Sequence, residues 1–151
     1  MEFEDFEVRL SAARAERGGR SLPEGFLLFD SQVASEADLL HVEQTLQIQL
    51  PEKYKEFMRR YGAGQFLFLD LLPAISVDEH EDDLLTVNEA GVPNRQFIAV
   101  APVGTGDWWG FSVVDGVCRG RVDFIDHEDG SVSFAFSDFL EFLAHRGLRV
   151  D

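Results

Sequence analysis

LPEKYKEFMRRYGAG, residues 50–64, is the stretch on which the fold turns. Pro51 suits the first position of a helix, where a missing N–H costs nothing. Tyr54, Phe57, Met58 and Tyr61 follow at i, i+3, i+4 and i+7 and make one apolar stripe. Lys53, Lys55, Glu56, Arg59 and Arg60 take most of the wet side. Gly62 then ends the helix, because glycine enters the left-handed region without strain. A Gly-rich end also raises the idea of a phosphate cradle. That function needs glycines ahead of a helix, whose N-terminal amides face the anion. Here they come after it, near the negative end of the dipole. The stretch predicts a capped, packed helix and no phosphate site.

Upstream, Phe3, Phe6, Leu10 and Ala13 fall at helical spacing, so FEDFEVRLSAARAER predicts an amphipathic helix closed by Gly18 and Gly19. A Pro/Gly-containing connector with a short strand follows, SLPEGFLLFDSQVA. Ser35 with Asp38 three residues on is a capping-box variant for a helix EADLLHVEQTL, whose Leu39, Val42 and Leu46 share a face. Downstream, QFLFLDLL predicts a strand buried on both faces, and SVDEHEDDLLTVNEAG a helix or helical loop that Ser76 can cap and Gly91 can end.

From Gln96 the period changes to two. QFIAVAP, DWWGFSVV and VCRGRVDFI predict three strands, the last two joined by an Asp115-Gly116 hairpin turn. Ser137 precedes a closing helix, DFLEFLAHR, with Phe136, Phe139, Leu140 and Leu143 on its apolar side and Gly147 as its stop. The expected fold is a single α+β domain over 1–151, an antiparallel sheet meander packed with about four helices. Length and the 45% apolar fraction, with fourteen Phe, support a sizeable core.

Twenty-eight acids against thirteen bases leave a formal charge of −15. The second half is the more acidic, with fifteen acids and five bases from residue 76 onward. Repulsion from phosphates argues against nucleic-acid binding, whereas a basic protein would be steered in. The acidic opening MEFEDFEVRL has no apolar run of signal-peptide kind, no eighteen apolar residues run together, and Cys118 has no disulfide partner. The expectation is a cytoplasmic protein away from membranes.

Catalytic chemistry finds little support. Gly104-Thr105-Gly106-Asp107 lacks the full dinucleotide fingerprint and leads into a strand, so it predicts a turn. The runs DEHEDD, Asp78–Asp83, and DHED, Asp126–Asp129, lack the alternation and turn glycine of a calcium loop. His80 and His127 could converge on zinc only through tertiary contact; the reading is solvated acidic loops and no metal. Cys118, inside a predicted strand, reads as a small buried hydrophobe. No cofactor is expected. Trp108 and Trp109 are consecutive in a strand and must face opposite sides of the sheet.

EADLLHVEQTLQIQLPEKYKEFMRRYGAG resembles the signature of the SUKH superfamily, which includes the fungal cell-wall regulator Smi/Knr proteins. Glu43, Leu50, Pro51, Tyr54, Phe57 and Tyr61 match its pattern, and FIAVAPVG, the Gly106-Asp107 turn and SDFLEFL extend the likeness from about Ser35 to Leu143. Residues 1–34, the N-terminal helix and connector, match least. Gln47 stands where the family often has glycine, and Gly62 replaces the usual Asn.

The resemblance implies a non-catalytic binding scaffold. Bacterial members are largely immunity proteins that neutralise polymorphic toxins encoded beside them, many of them basic nucleases. The expected partner is thus a basic toxin domain. The expected contacts combine acids with aromatics: Asp78, Glu79, Glu81, Asp82, Asp83, Asp107, Trp108, Trp109, Asp126, His127, Glu128 and Asp129. A regulatory scaffold for endogenous proteins is the alternative, and an enzyme acting on a small cationic substrate is a third.

Overall fold

In a computed structural model, which describes residues 1–17, 33–66, 69–76, 82–90 and 96–148, helices form where the 3.6-residue period runs. Helices α1 (Phe3–Arg17) and α2 (Glu36–Leu46) have the predicted bounds. The Ser35–Asp38 capping box is closed in both directions. Gly18, Gly19 and most of the connector lie outside the described residues.

Helix α3 (Glu52–Arg60) starts one residue later than expected, because Pro51 at ψ 142° is the extended residue ahead of the helix. Its stripe is buried: Tyr54, Phe57 and Met58 are each at most 1% exposed. Gly62 stops it at φ 86°, its N–H reaching back to the Phe57 carbonyl. The preceding residues are pinned from two sides. The Glu43 carboxylate accepts the Leu50 N–H at 2.9 Å, and Gln49 exchanges backbone bonds with Gly116 and Cys118.

QFLFLDLL is a hairpin and not one strand. β1 (Gly64–Phe66) pairs with β2 (Leu69–Leu71), and Asp70 is exposed between buried Leu69 and Leu71. Helix α4 is shorter than expected, Leu84–Glu89, and its cap is Asp83. The Asp83 carboxylate accepts the Thr86 and Ser76 amides, so Ser76 is bound by the cap and does not supply it. Gly91 is outside the described residues.

The main sheet is antiparallel, in the order β3 (Phe97–Pro102), β4 (Trp108–Val114), β6 (Val122–Ile125) and β7 (Val132–Phe136). The run VCRGRVDFI divides into β5 (Val117–Cys118), which forms the Asp115-Gly116 hairpin with β4, and β6. Strand β7 lies where the sequence suggested only the approach to a helix, so Phe136 is a strand residue. Helix α5 (Phe139–Phe142) is capped by Asp138, not Ser137, and runs into a π-helical segment, Leu143–Leu148. Gly147 lies inside that segment against the Phe66 ring instead of ending a helix.

One face of the sheet, with Ile98, Val100, Phe111 and Val122, meets α3 and α5, and α1 packs on α3 and β1 through Phe6. Edge-to-face rings dominate there: Tyr54 lies 5.3 Å from Phe111 and 5.0 Å from Phe139. The opposite face holds Phe97, Ala99 and Ile125 beneath Leu72, Val87 of α4 and Trp108. Among the described residues no helix is long and apolar enough to cross a membrane.

Candidate protein-interaction site

Strand pairing assembles one acidic corner. Trp108 of β4 is the register partner of Ile125 of β6. The residue before Trp108 and the residue after Ile125 therefore emerge at the same end of the sheet. The β3–β4 loop brings Asp107; the β6–β7 turn brings Asp126, His127, Glu128 and Asp129.

Asp107 joins the two segments. Its Oδ1 accepts the His127 backbone N–H at 2.9 Å and lies 2.7 Å from His127 Nδ1, while its Oδ2 accepts the Thr105 hydroxyl at 2.6 Å. The Thr105 hydroxyl and the His127 amide and ring hold its carboxyl down to about 2. The hydrogen bond that the His127 ring gives to the Asp107 carboxylate raises the imidazole above its ordinary value. Gly106 makes room for the ring, since a Cβ there would stand 3.1 Å from His127.

The turn supports itself. Asp126 Oδ1 accepts the Glu128 N–H and Asp129 Oδ1 the Ser131 N–H, both at 2.8 Å. The bonds from Ser131 lower the Asp129 carboxyl. Asp126 stays half-buried, while Glu128 and Asp129 point to water.

Asp107, Asp126 and His127 can each offer one atom within 4.8 Å of the others, the residues here that could hold a metal ion. Those donors are already engaged with each other and with loop amides. The cluster is explained as a hydrogen-bonded joint between two loops.

The Trp pair divides as its spacing requires. Trp109 faces the helices, 5.2 Å from Phe124 and 5.7 Å from Phe142, with the Arg146 guanidinium 5.0 Å above it. Trp108 packs on the opposite face and stays half-buried directly beside Asp107. Trp108 directly follows Asp107 in the chain and is thus the indole next to the acidic corner in sequence.

The other expected contacts separate. Asp82 is exposed, but Asp83 is only 8% exposed and holds α4, so its acid serves as a cap and not as open surface. Asp78, Glu79 and Glu81 lie outside the described residues. Sequence reasoning passed over Thr105, which orients Asp107, and the exposed Phe134; a threonine two residues before an aspartate in a Gly-rich turn was the available signal for the first.

A family model described as SUKH_6, SMI1-KNR4 cell-wall, matches residues 36–143. A solved structure described as the crystal structure of a protein from Pseudomonas syringae pv. tomato is similar in fold, with a TM-score of 0.65 at 17% identity over 95% of this chain and 99% of that one. None of the curated proteins matches.

Proposed function

The chain belongs to the SMI1-KNR4 (SUKH) family, and from that premise we propose that it is an immunity protein, binding and neutralising a cognate basic toxin domain in the cytoplasm. The observation that carries this reading is the acidic corner. Asp107, Asp126, Glu128 and Asp129 gather at one end of the sheet beside a half-buried Trp, on a chain of charge −15. Such a surface is a rim of one sign with an aromatic anchor, the combination that steers and then holds a protein of opposite charge. The nuclease class is the toxin chemistry that best explains a basic partner.

Capture of tagged protein from its native cells, with a salt elution step and mass spectrometry, tests the reading. One basic protein released by salt, the product of a neighbouring gene, would support it. That protein should lose toxicity when mixed with the chain, and binding should weaken for Asp126→Lys with Glu128→Lys. Capture of several regulatory proteins with no toxin among them would overturn it. The family description, which names the cell wall, favours the second reading in that case, a regulatory scaffold.

A further inference from the structure

The free edge of β7 is built to pair with another strand. It is last in the order β3-β4-β6-β7, and among the described residues no strand covers its outer side. Natural edges are blunted by charges or proline, and Val132, Ser133, Phe134, Ala135 and Phe136 offer neither. Phe134 is 61% exposed and Val132 45%. The register shift opposite Val122 and Asp123 falls at the Phe136 end, so the strand pairs regularly with β6 from Val132 to Phe134. A groove of about 540 Å³ runs beside the edge, lined by Phe134–Ser137 and by Glu141, His145 and Arg146.

The charges at its two ends select the occupant. Ahead of the strand stands the acidic turn, where Glu128 and Asp129 have no cation within ion-pair distance among the described residues. Beyond the strand, Asp138 is held by Lys53 at 3.0 Å and Glu141 is 3.2 Å from His145. Arg146 is left facing rings, 5.0 Å from Trp109 and 5.9 Å from Phe136, with no carboxylate at ion-pair distance among the described residues. The edge is therefore acidic at one end, apolar in the middle, where the Arg121 guanidinium paired with Asp123 lies 5.7 Å from the Phe134 ring, and basic at the other. A uniformly basic segment complements only the first end. The same edge reversed complements both.

We propose that this edge is a self-association surface: two copies of the chain pair their β7 strands antiparallel about a two-fold axis near Phe134, the acidic turn of each lying against Arg146 of the other. The two Phe134 rings meet at the seam, and the main-chain groups of the two edges satisfy one another. The overall negative charge opposes association, and salt screens charges farther apart than about 8 Å at physiological ionic strength. An edge this short makes a small interface, so the dimer is weak and reversible.

Sedimentation equilibrium of the full chain, from micromolar to millimolar, tests the pairing together with amide hydrogen exchange at both extremes. The expected result is a monomer–dimer equilibrium in which Val132–Phe136 amides exchange more slowly at the higher concentration. Phe134→Glu sets two carboxylates face to face and should weaken the dimer by about tenfold or more. Circular dichroism should show the fold intact, because that side chain packs little. Asp129→Arg and Arg146→Asp should each weaken association, and the double exchange should recover it. A chain that stays monomeric at millimolar concentration, or a dimer indifferent to Phe134→Glu, overturns the pairing. Neither result bears on toxin neutralisation.

Discussion

Asp107 and His127, twenty positions apart, are joined twice: one carboxylate oxygen takes the His127 backbone N–H at 2.9 Å and meets its ring nitrogen at 2.7 Å. The contact ties the β3–β4 loop to the β6–β7 turn and holds the acidic corner together. Folding shifts the two groups in opposite directions, His127 up from 6.5 and Asp107 down from 3.8 to about 2. The His127 contribution is fully present below 6.5 and is lost as pH rises through the elevated folded value. The Asp107 contribution is present above 3.8 and is lost as pH falls towards about 2. The joint is therefore strongest between those limits. An NMR titration of the His127 ring should give a midpoint above 6.5 that falls back in Asp107→Asn. An unchanged midpoint in the variant would remove Asp107 as the cause.

Two glycines sit where another element comes too close for a side chain. A Cβ on Gly110 would lie 2.0 Å from the Ile98 carbonyl oxygen, and one on Gly147 would lie 2.4 Å from the Phe66 ring. The first obstacle is backbone within the β3–β4 ladder; the second is a buried ring. Gly147→Ala should cost about 1–3 kcal/mol, as overpacked cores do. Gly110→Ala should cost more than that, since strand pairing itself must yield. Urea unfolding ranks them, and equal losses would contradict the distinction.

Gln47, the C-cap of α2, is held at φ 56°, a conformation that favours glycine. Gln47→Gly should stabilise the protein by about 0.5–1 kcal/mol, the relief of the left-handed strain less the added entropy of the unfolded chain. The midpoint of denaturant unfolding would rise at constant slope. A fall would mean that the Gln47 side chain holds something its backbone does not reveal.

Glu43 accepts the Leu50 N–H and lies 3.5 Å from Lys55, beside the Leu-Pro step that starts α3. Glu43→Ala leaves that amide without its partner and should cost about 1–3 kcal/mol. Glu43→Gln keeps an acceptor and should cost less. Identical losses for the two would mean that charge, and not the hydrogen bond, is what matters there.

Much of the helical fold was legible because its signals are short-range. The Tyr54, Phe57, Met58 stripe, the Ser35–Asp38 box and the Gly62 stop each depend on residues within about one or two turns. Strand β7 was missed because SVSFAF precedes a strong helical pattern, which drew Phe136 into the wrong period. The α4 cap was misplaced because Ser76 and Asp83 are both acceptable N-caps. Asp83 prevails by collecting two backbone amides, one of them from Ser76. The candidate site was legible as a set of acids and aromatics, but not as a place.

The sequence by itself determined the bounds of α1 and α2, the Gly62 stop of α3, the Asp115-Gly116 hairpin and the opposed directions of Trp108 and Trp109. Local sterics, capping and side-chain period decide all of these before any distant contact forms. The tertiary structure alone decided that Asp107 meets His127, that Trp109 rather than Trp108 faces the helices, and that Gly147 fits Phe66. Those outcomes follow from the β4–β6 register and from helix–sheet packing, in which residues distant along the chain become neighbours.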